Sequence, residues 1–500
     1  MRFVFILLFI VESSICSLAI DLNILAYGAQ NDKNVLSTSA IQLAINEART
    51  LKNARVIIPK GNFLTGTITM YSNVELHLEQ GATLYGSTNI NDYYALSRTT
   101  ATFNWKALIL SNGQQNITIS GKGTIDGQGE MLALNIDDMF YNGTLDSNNY
   151  QLIERRPKAH VRPQLIQFVN CSNVRVESIK IKNASSWVQV YDLCNNVTIR
   201  EINVESVAYW NNDGIDLIDC KNVVLTDSKF NCSDDGICLK SYKRNSTIQP
   251  KCDSIYIKNC TVRSSASAVK LGTSSFGGFT NIYIENIKVY DTYRSAIAIE
   301  SWETGIIDNV HVKNITAINT GNALFIKLNK RKIYDHLPNG KINNIFIDNI
   351  KCTVPFIQPD IKYNLRGPAL PFFHNTFPIS ITGIPNAPVT NIHISNLKII
   401  YPGNGQASYA NSPTSRLDQV PEKIEEYPEF SMFGELPAWG LYTRHVDNIA
   451  INNIYMKIRS ADYRPALVFD DVLNLKLEQV TIKGDNKRDK VVKVKTTELN

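Results

Sequence analysis

The chain has 500 residues, of which 44% are hydrophobic and 19% charged, with a formal net charge of +5. That is an ordinary globular composition with ample material for a large core. The charge is small for the length and no basic tract interleaves with aromatics, which argues against nucleic acid; the mild cationic excess favours at most an acidic substrate.

The start, MRFVFILLFIVESSICSLAI, reads as a secretory signal over residues 1–20. Arg2 supplies the positive region, and Phe3–Val11 is an apolar run too short to span a bilayer. Small residues follow at Ser13, Ser14, Ser17 and Ala19, so cleavage is expected within Cys16–Ile20. The alternative is that Cys16 becomes a lipidated N-terminus at the cell surface. No other segment has the length and apolarity of a membrane span. Residues 21–500 are therefore expected to work as one domain outside the cytoplasm, secreted or periplasmic.

Ser37–Leu51 is amphipathic and is expected to form a short capping helix. Helix-period segments are nearly absent after it. One phrase recurs instead, as NVELHLEQG from Asn73, NVRVESIKI from Asn173, NIYIENIKV from Asn281, NIFIDNIKC from Asn344 and NIHISNLKI from Asn391. The central copies recur at roughly 23–35 residues, the period of solenoids. Each is a short β-branched strand, a polar bend and a second strand. A strand that cannot bury its apolar face alone does so by stacking on its neighbours. The expected fold is all-β, a parallel β-helix with Asn at one bend. A β-sandwich predicts hairpin turns, not one phrase repeated in register. The gaps Tyr363–Asn386 and Gly403–Trp439 read as loops on one side.

Strand alignment points Ile215/Leu217, Ile237/Leu239, Val269/Leu271, Ile297/Ile299 and Ile326/Leu328 inward. Asp216, Cys238, Lys270, Ala298 and Lys327 then face solvent. The stretch NNDGIDLIDCKNVVLTDSKFNCSDDGICLK, Asn211–Lys240, thereby sets Asp213 and Asp234–Asp235 at the starts of two adjacent strands. Three carboxylates within reach suit glycoside hydrolysis: one protonated to donate to the leaving oxygen, another ionised to activate water, with mutual repulsion splitting their pKa values. A calcium site or solvated turn aspartates are the other readings. The cysteines from Cys171 to Cys352 show no zinc spacing, and both bridges and buried stacked thiols stay open.

These residues resemble family 28 glycoside hydrolases, the polygalacturonase and rhamnogalacturonase group, in its bacterial-type branch. NNDGID is similar to the family's Asn-Thr-Asp motif, and SDDGICLKS to its Gly/Gln-Asp-Asp motif, at matching separation. ITISGKGTIDGQGE and the late segment EYPEFSMFGELPAWGLYTRHV extend the likeness over most of the mature chain. The resemblance implies a right-handed, pectin-lyase-like β-helix and an inverting hydrolase without metal or cofactor. It implies Asp234 as general acid, with Asp213 and Asp235 positioning and deprotonating the water. Two motifs depart. Gly-His-Gly falls on Ala266-Ser267-Ala268, and Arg-Ile-Lys on Ala298-Ile299-Glu300, so the cationic pair that grips galacturonate is gone. Lys270 and Lys327, on the rungs either side of Ala298, are expected to take over part of that role, with Asp216 and Arg444 also at the substrate. His445, Trp187, Trp439 and Tyr442 are further groove candidates.

The leading expectation is a secreted, monomeric hydrolase of galacturonate-containing linkages in pectic polysaccharide, polygalacturonase-like or rhamnogalacturonan-directed. The lost histidine and cations support a non-catalytic carbohydrate-binding β-helix instead, and the three aspartates argue against it. A polysaccharide lyase needs a strong base and a uronate-neutralising cation, which the aspartate spacing does not suggest.

Overall fold

Asparagines turn the chain. In the computed structural model, Asn281 and Asn286, Asn309 and Asn314, Asn344 and Asn349, Asn391 and Asn396, and Asn448 and Asn453 hold φ between 51° and 60°. That left-handed region is costly for most side chains and tolerated by Asn. Each amide also donates to an Asn or Asp side chain one coil away. Asn309 Nδ2 donates to Asn281 Oδ1 at 2.7 Å, and Asn314 Nδ2 to Asn286 Oδ1 at 3.0 Å. The expectation of Asn at one bend thus captures half of the pattern, because a second ladder runs beside the first.

The structure describes residues 20–51, 54–96, 105–357, 359, 375–406, 414–484 and 490–499. The expected signal and Cys16 lie outside the described residues, as do parts of both long gaps. Among the described residues no helix is long and apolar enough to cross a membrane.

Each coil contributes strands to three parallel faces. Ile215–Ile218 is followed by Lys221–Thr226 and Lys229–Cys232, and the chain then returns to Ile237–Ser241 on the first face. That first face carries the site. Its central strands are β1 (Gln189–Asp192), β2 (Ile215–Ile218), β3 (Ile237–Ser241) and β4 (Val269–Ser275). The ends of β5 (Gly278–Ser301) and β6 (Ile306–Leu328), then β7 (Ile379–Thr382) and the start of β8 (Leu441–Ile458), continue it. All pair in parallel. Side chains alternate inward as expected, and Ile215, Leu217, Ile237, Leu239, Val269, Leu271, Ile297 and Ile299 are all sealed in one continuous core.

Two expectations need correction. Ile299 pairs with Ile326 and Glu300 with Lys327, so Lys327 sits one step along from Ala298, which faces Phe325. The outward row is also not solvated: Asp216 and Lys327 are 0% exposed and Lys270 2%. Chain from the late loop covers its later rungs, through a second apolar cluster of Phe325, Phe377, Phe430, Phe433, Leu436 and Tyr442.

The helix α1 (Thr38–Ala48) buries Ala40, Ile41, Ala44, Ile45 and Ala48 against the first coil. A second helix, α2 (Gly129–Tyr141), departs from the expectation that helical patterning ends at Leu51. Its exposed Met131 and Leu134 flank buried Leu132 and Ala133, which blurs the period. The eight cysteines from Cys171 to Cys352 are buried free thiols.

Candidate active site

The aspartates stand in the turns that lead into β2 and β3. Ile215 pairs with Ile237, so Asp213 and Asp235 stack in register. The turns bond directly: Gly214 N donates to Asp235 O, and Gly236 N to Ser267 O, each at 2.9 Å. A β-carbon on Gly214 would lie 2.5 Å from the Gly236 carbonyl oxygen. Glycine after the aspartate is therefore what lets these turns stack. One carboxylate oxygen from each of Asp213, Asp234 and Asp235 lies within 4.8 Å of the other two.

Two buried lysines hold the trio. Lys240 Nζ pairs with Asp213 Oδ2 at 3.1 Å and with Asp216. Lys270 Nζ pairs with Asp235 Oδ2 at 3.3 Å and Glu300 Oε2 at 3.5 Å, and donates to the Tyr427 hydroxyl at 3.0 Å. Despite burial, these carboxylates hold both ammonium groups well above the usual lysine range. They bring the positive charge that a calcium ion would bring, and would repel one.

The same charges divide the carboxylates. Burial, then the charge of Asp235, lifts Asp234 above the ordinary range. Burial acts on Asp235 too, but Lys270, Lys240 and the Ser267 N–H, 3.0 Å from Oδ1, outweigh it and hold the group low. Burial lifts Asp213 well above normal against the pull of Lys240, and Asp216 to about 6. It pushes Glu300 to about 8. Asp213 Oδ1 is buried and makes no hydrogen bond, so it can accept from a water or a substrate hydroxyl.

The trio opens into a cleft of about 220 Å³, walled by Trp187, Trp302 and Tyr427. Asn211 enters beside it, with Nδ2 3.4 Å from Asp234 Oδ2. Arg162, fully buried beneath, fixes that amide through a 2.7 Å bond to Oδ1. A larger, more open depression around Glu75, His77 and Lys122 lies elsewhere and contains none of these aspartates.

The chain matches the family model described as glycosyl hydrolases family 28 over residues 49–365, well over half its length. The chain belongs to glycosyl hydrolase family 28. An exo-poly-alpha-D-galacturonosidase of Dickeya chrysanthemi is 26% identical over 334 residues, covering 59% of this chain and 55% of that one. A probable polygalacturonase of Vitis vinifera is 26% identical over 324 residues, covering 61% and 62%. The chain thus spans little more than half to three-fifths of the length of these relatives. Among solved structures, a Thermotoga maritima exopolygalacturonase superposes with a TM-score of 0.61 at 21% identity, over 87% of this chain and 91% of that one. A Yersinia enterocolitica family 28 exopolygalacturonase gives 0.62 at 18%, over 95% and 78%. The fold is the right-handed parallel β-helix.

In this family 28 protein the other candidates scatter. Asp216 lies under the trio, reached by Lys240. Trp187 lines the cleft, its ring 4.4 Å from Lys240 Nζ. Lys327 is outside the cleft, donating to Gly383 O at 3.2 Å and Glu422 O at 3.4 Å. Arg444 is tied to Glu422 at 2.7 Å and Asp470 at 3.3 Å, and His445 to Asp471 at 2.6 Å; neither lines the cleft. Tyr442 is buried in the second cluster, and Trp439 packs edge-on against Tyr401 inside the solenoid. Sequence reading missed Lys240, Trp302 and Tyr427. Lys240 had a signal, two residues beyond Cys238 on the same face of the strand. The other two are brought by loops whose path no repeat encodes.

Proposed function

We propose that this chain is an exported, inverting glycoside hydrolase that cleaves galacturonate-containing linkages of pectic polysaccharide from a chain end. The convergence of Asp213, Asp234 and Asp235 in the cleft, one carboxylate oxygen of each within 4.8 Å of the other two, carries this reading. Asp234, whose proton burial and the charge of Asp235 help to retain, gives that proton to the glycosidic oxygen as the C–O bond breaks. A water accepted by Asp213 Oδ1 and Asp235 attacks the anomeric carbon and loses its proton to Asp235. The small cleft, about 220 Å³, supports action at a chain end, and two relatives named as exo-acting support it further. The apolar stretch at Phe3–Val11 supports export, with the mature protein acting as a monomer.

The three oxygens stand closer than the roughly 6.5–9.5 Å usual between the carboxyls of inverting enzymes. Water must therefore sit beside the trio rather than between acid and base. The test is sugar release from polygalacturonate, rhamnogalacturonan and their oligosaccharides, with Asp234→Asn alongside. Wild-type release should fall by about 10²–10⁴-fold in the variant. Proton NMR of the first product should show the anomer opposite to the substrate's; the same anomer would overturn inversion. Binding without release from any substrate would favour the non-catalytic reading.

A further inference from the structure

The cleft is lined by three carboxyl groups and two ammonium groups, and both ammonium groups are already engaged by carboxyls. Among the described residues, its charged lining consists of Asp213, Asp234, Asp235, Lys240 and Lys270. Lys240 already faces Asp213 and Asp216. Lys270, with a side chain 3% exposed, faces Asp235 and Glu300 and donates to Tyr427. The nearby Arg294 is held by Glu429 at 2.5 Å. Arg331 stacks on Trp302 and pairs with Glu303 at 3.7 Å. The remaining walls are aromatic or neutral, and suit the C–H face and hydroxyls of a sugar.

We propose that the sugar ring seated in this cleft, against Asp234, is uncharged, and that Glu300 sets the preference by keeping Lys270 engaged. A uronate ring there brings its carboxylate among Asp213 and Asp235. It must either remain without a counter-charge or take Lys270 from Asp235 and Glu300, and both are costly in a buried site. An uncharged ring needs only hydrogen bonds and stacking. The proposal rests on the hydrolase reading above: the bond cleaved joins an uncharged sugar to the galacturonate-bearing chain, whose acidic units lie outside the cleft.

Binding and hydrolysis separate the two claims. Binding of the methyl glycosides of galactose, rhamnose and xylose, and of methyl galacturonoside, is measured by saturation-transfer NMR on wild type and Asp234→Asn, at concentrations on the order of 10 mM. At least one neutral glycoside should bind, and about tenfold or more tighter than the galacturonoside. Measured above about pH 8, where Glu300 is ionised, Glu300→Gln with an unchanged melting temperature should narrow that ratio by freeing Lys270, and an unchanged ratio overturns the role given to Glu300. A galacturonoside that binds as well as every neutral glycoside, or no binding by any of them, overturns the proposal. Oligosaccharides ending in a neutral sugar or in galacturonate are then tested for Asp234-dependent cleavage. Cleavage of the galacturonate-ended set alone also overturns it. No cleavage of either, with neutral glycosides still preferred, removes the hydrolase reading and leaves the cleft assignment standing.

Discussion

Lys270 touches both sides of the proposed acid–base division. Its charge lowers Asp235, which must be ionised to accept the water's proton, and also lowers Asp234, which must be protonated to give one. The acid limb of the rate profile follows Asp235 and the alkaline limb Asp234. Lys270→Met removes the charge that lowers both. Both pKa values rise, so the whole bell moves to higher pH, by about 1 unit or more. A kcat/KM profile that falls in height without moving would show that Lys270 acts only by packing. Lys327→Met is the control. That lysine is pushed down to about 7, chiefly by burial, but its contacts are with Gly383 and Glu422 and not the trio. Its removal should leave both limbs in place.

At the scale of one coil, the corner asparagine combines a backbone conformation with a ladder bond. Asn314 holds φ at 57°, donates to Asn286 at 3.0 Å and accepts from Asn349 at 2.8 Å. Asn314→Gly loses the two bonds but keeps the φ without strain. Asn314→Ala loses both, and should be less stable than the glycine variant by about 1 kcal/mol, read from denaturant midpoints. Equal midpoints would assign the ladder's worth to its hydrogen bonds alone. These corners were legible in the sequence because the left-handed turn leaves a residue type behind at a fixed spacing. The rung was less legible. Alternation is unchanged by a slip of two residues, so it gives Lys327 an outward side but not its partner. A bulge between Thr292 and Ser295, opposite Thr320 and Asn322, shifts the register just before that point. Asp213, Asp234 and Asp235 escaped this ambiguity because they lie in stacked turns with glycine directly after Asp213 and Asp235.

Across the whole molecule, stacked coils take the place of cross-links. Cys194, Cys220 and Cys252 each donate a thiol hydrogen bond to a carbonyl on an earlier coil, at 3.4, 3.1 and 3.3 Å. Of the two readings left open for the cysteines, the structure takes the stacked thiols. Reductant should therefore leave the melting temperature unchanged within about 1 °C, whereas loss of a native disulfide would cost 2–5 kcal/mol. The loops that bring Trp302 and Tyr427 to the cleft could not be read in the same way, because they follow no repeat and are fixed only by what they cover. The asparagine ladders also decide which surface amides remain chemically available. Asn116 and Asn196 each begin an Asn-x-Thr sequence, the acceptor pattern for N-linked glycans. Their Nδ2 atoms already donate within the stack, to Asn73 at 2.8 Å and Asn173 at 3.2 Å. A glycan on either nitrogen would have to displace that bond, with the next amide only one strand away, about 4.8 Å. Asn142 and Asn245 begin the same kind of sequence on exposed chain. Made in a glycosylating host, the folded protein should carry sugar at Asn142 and Asn245 and none at Asn116 or Asn196 by glycopeptide mass spectrometry. Attachment at either ladder position before folding would keep two coils from closing, so the solenoid itself selects among its acceptor sites.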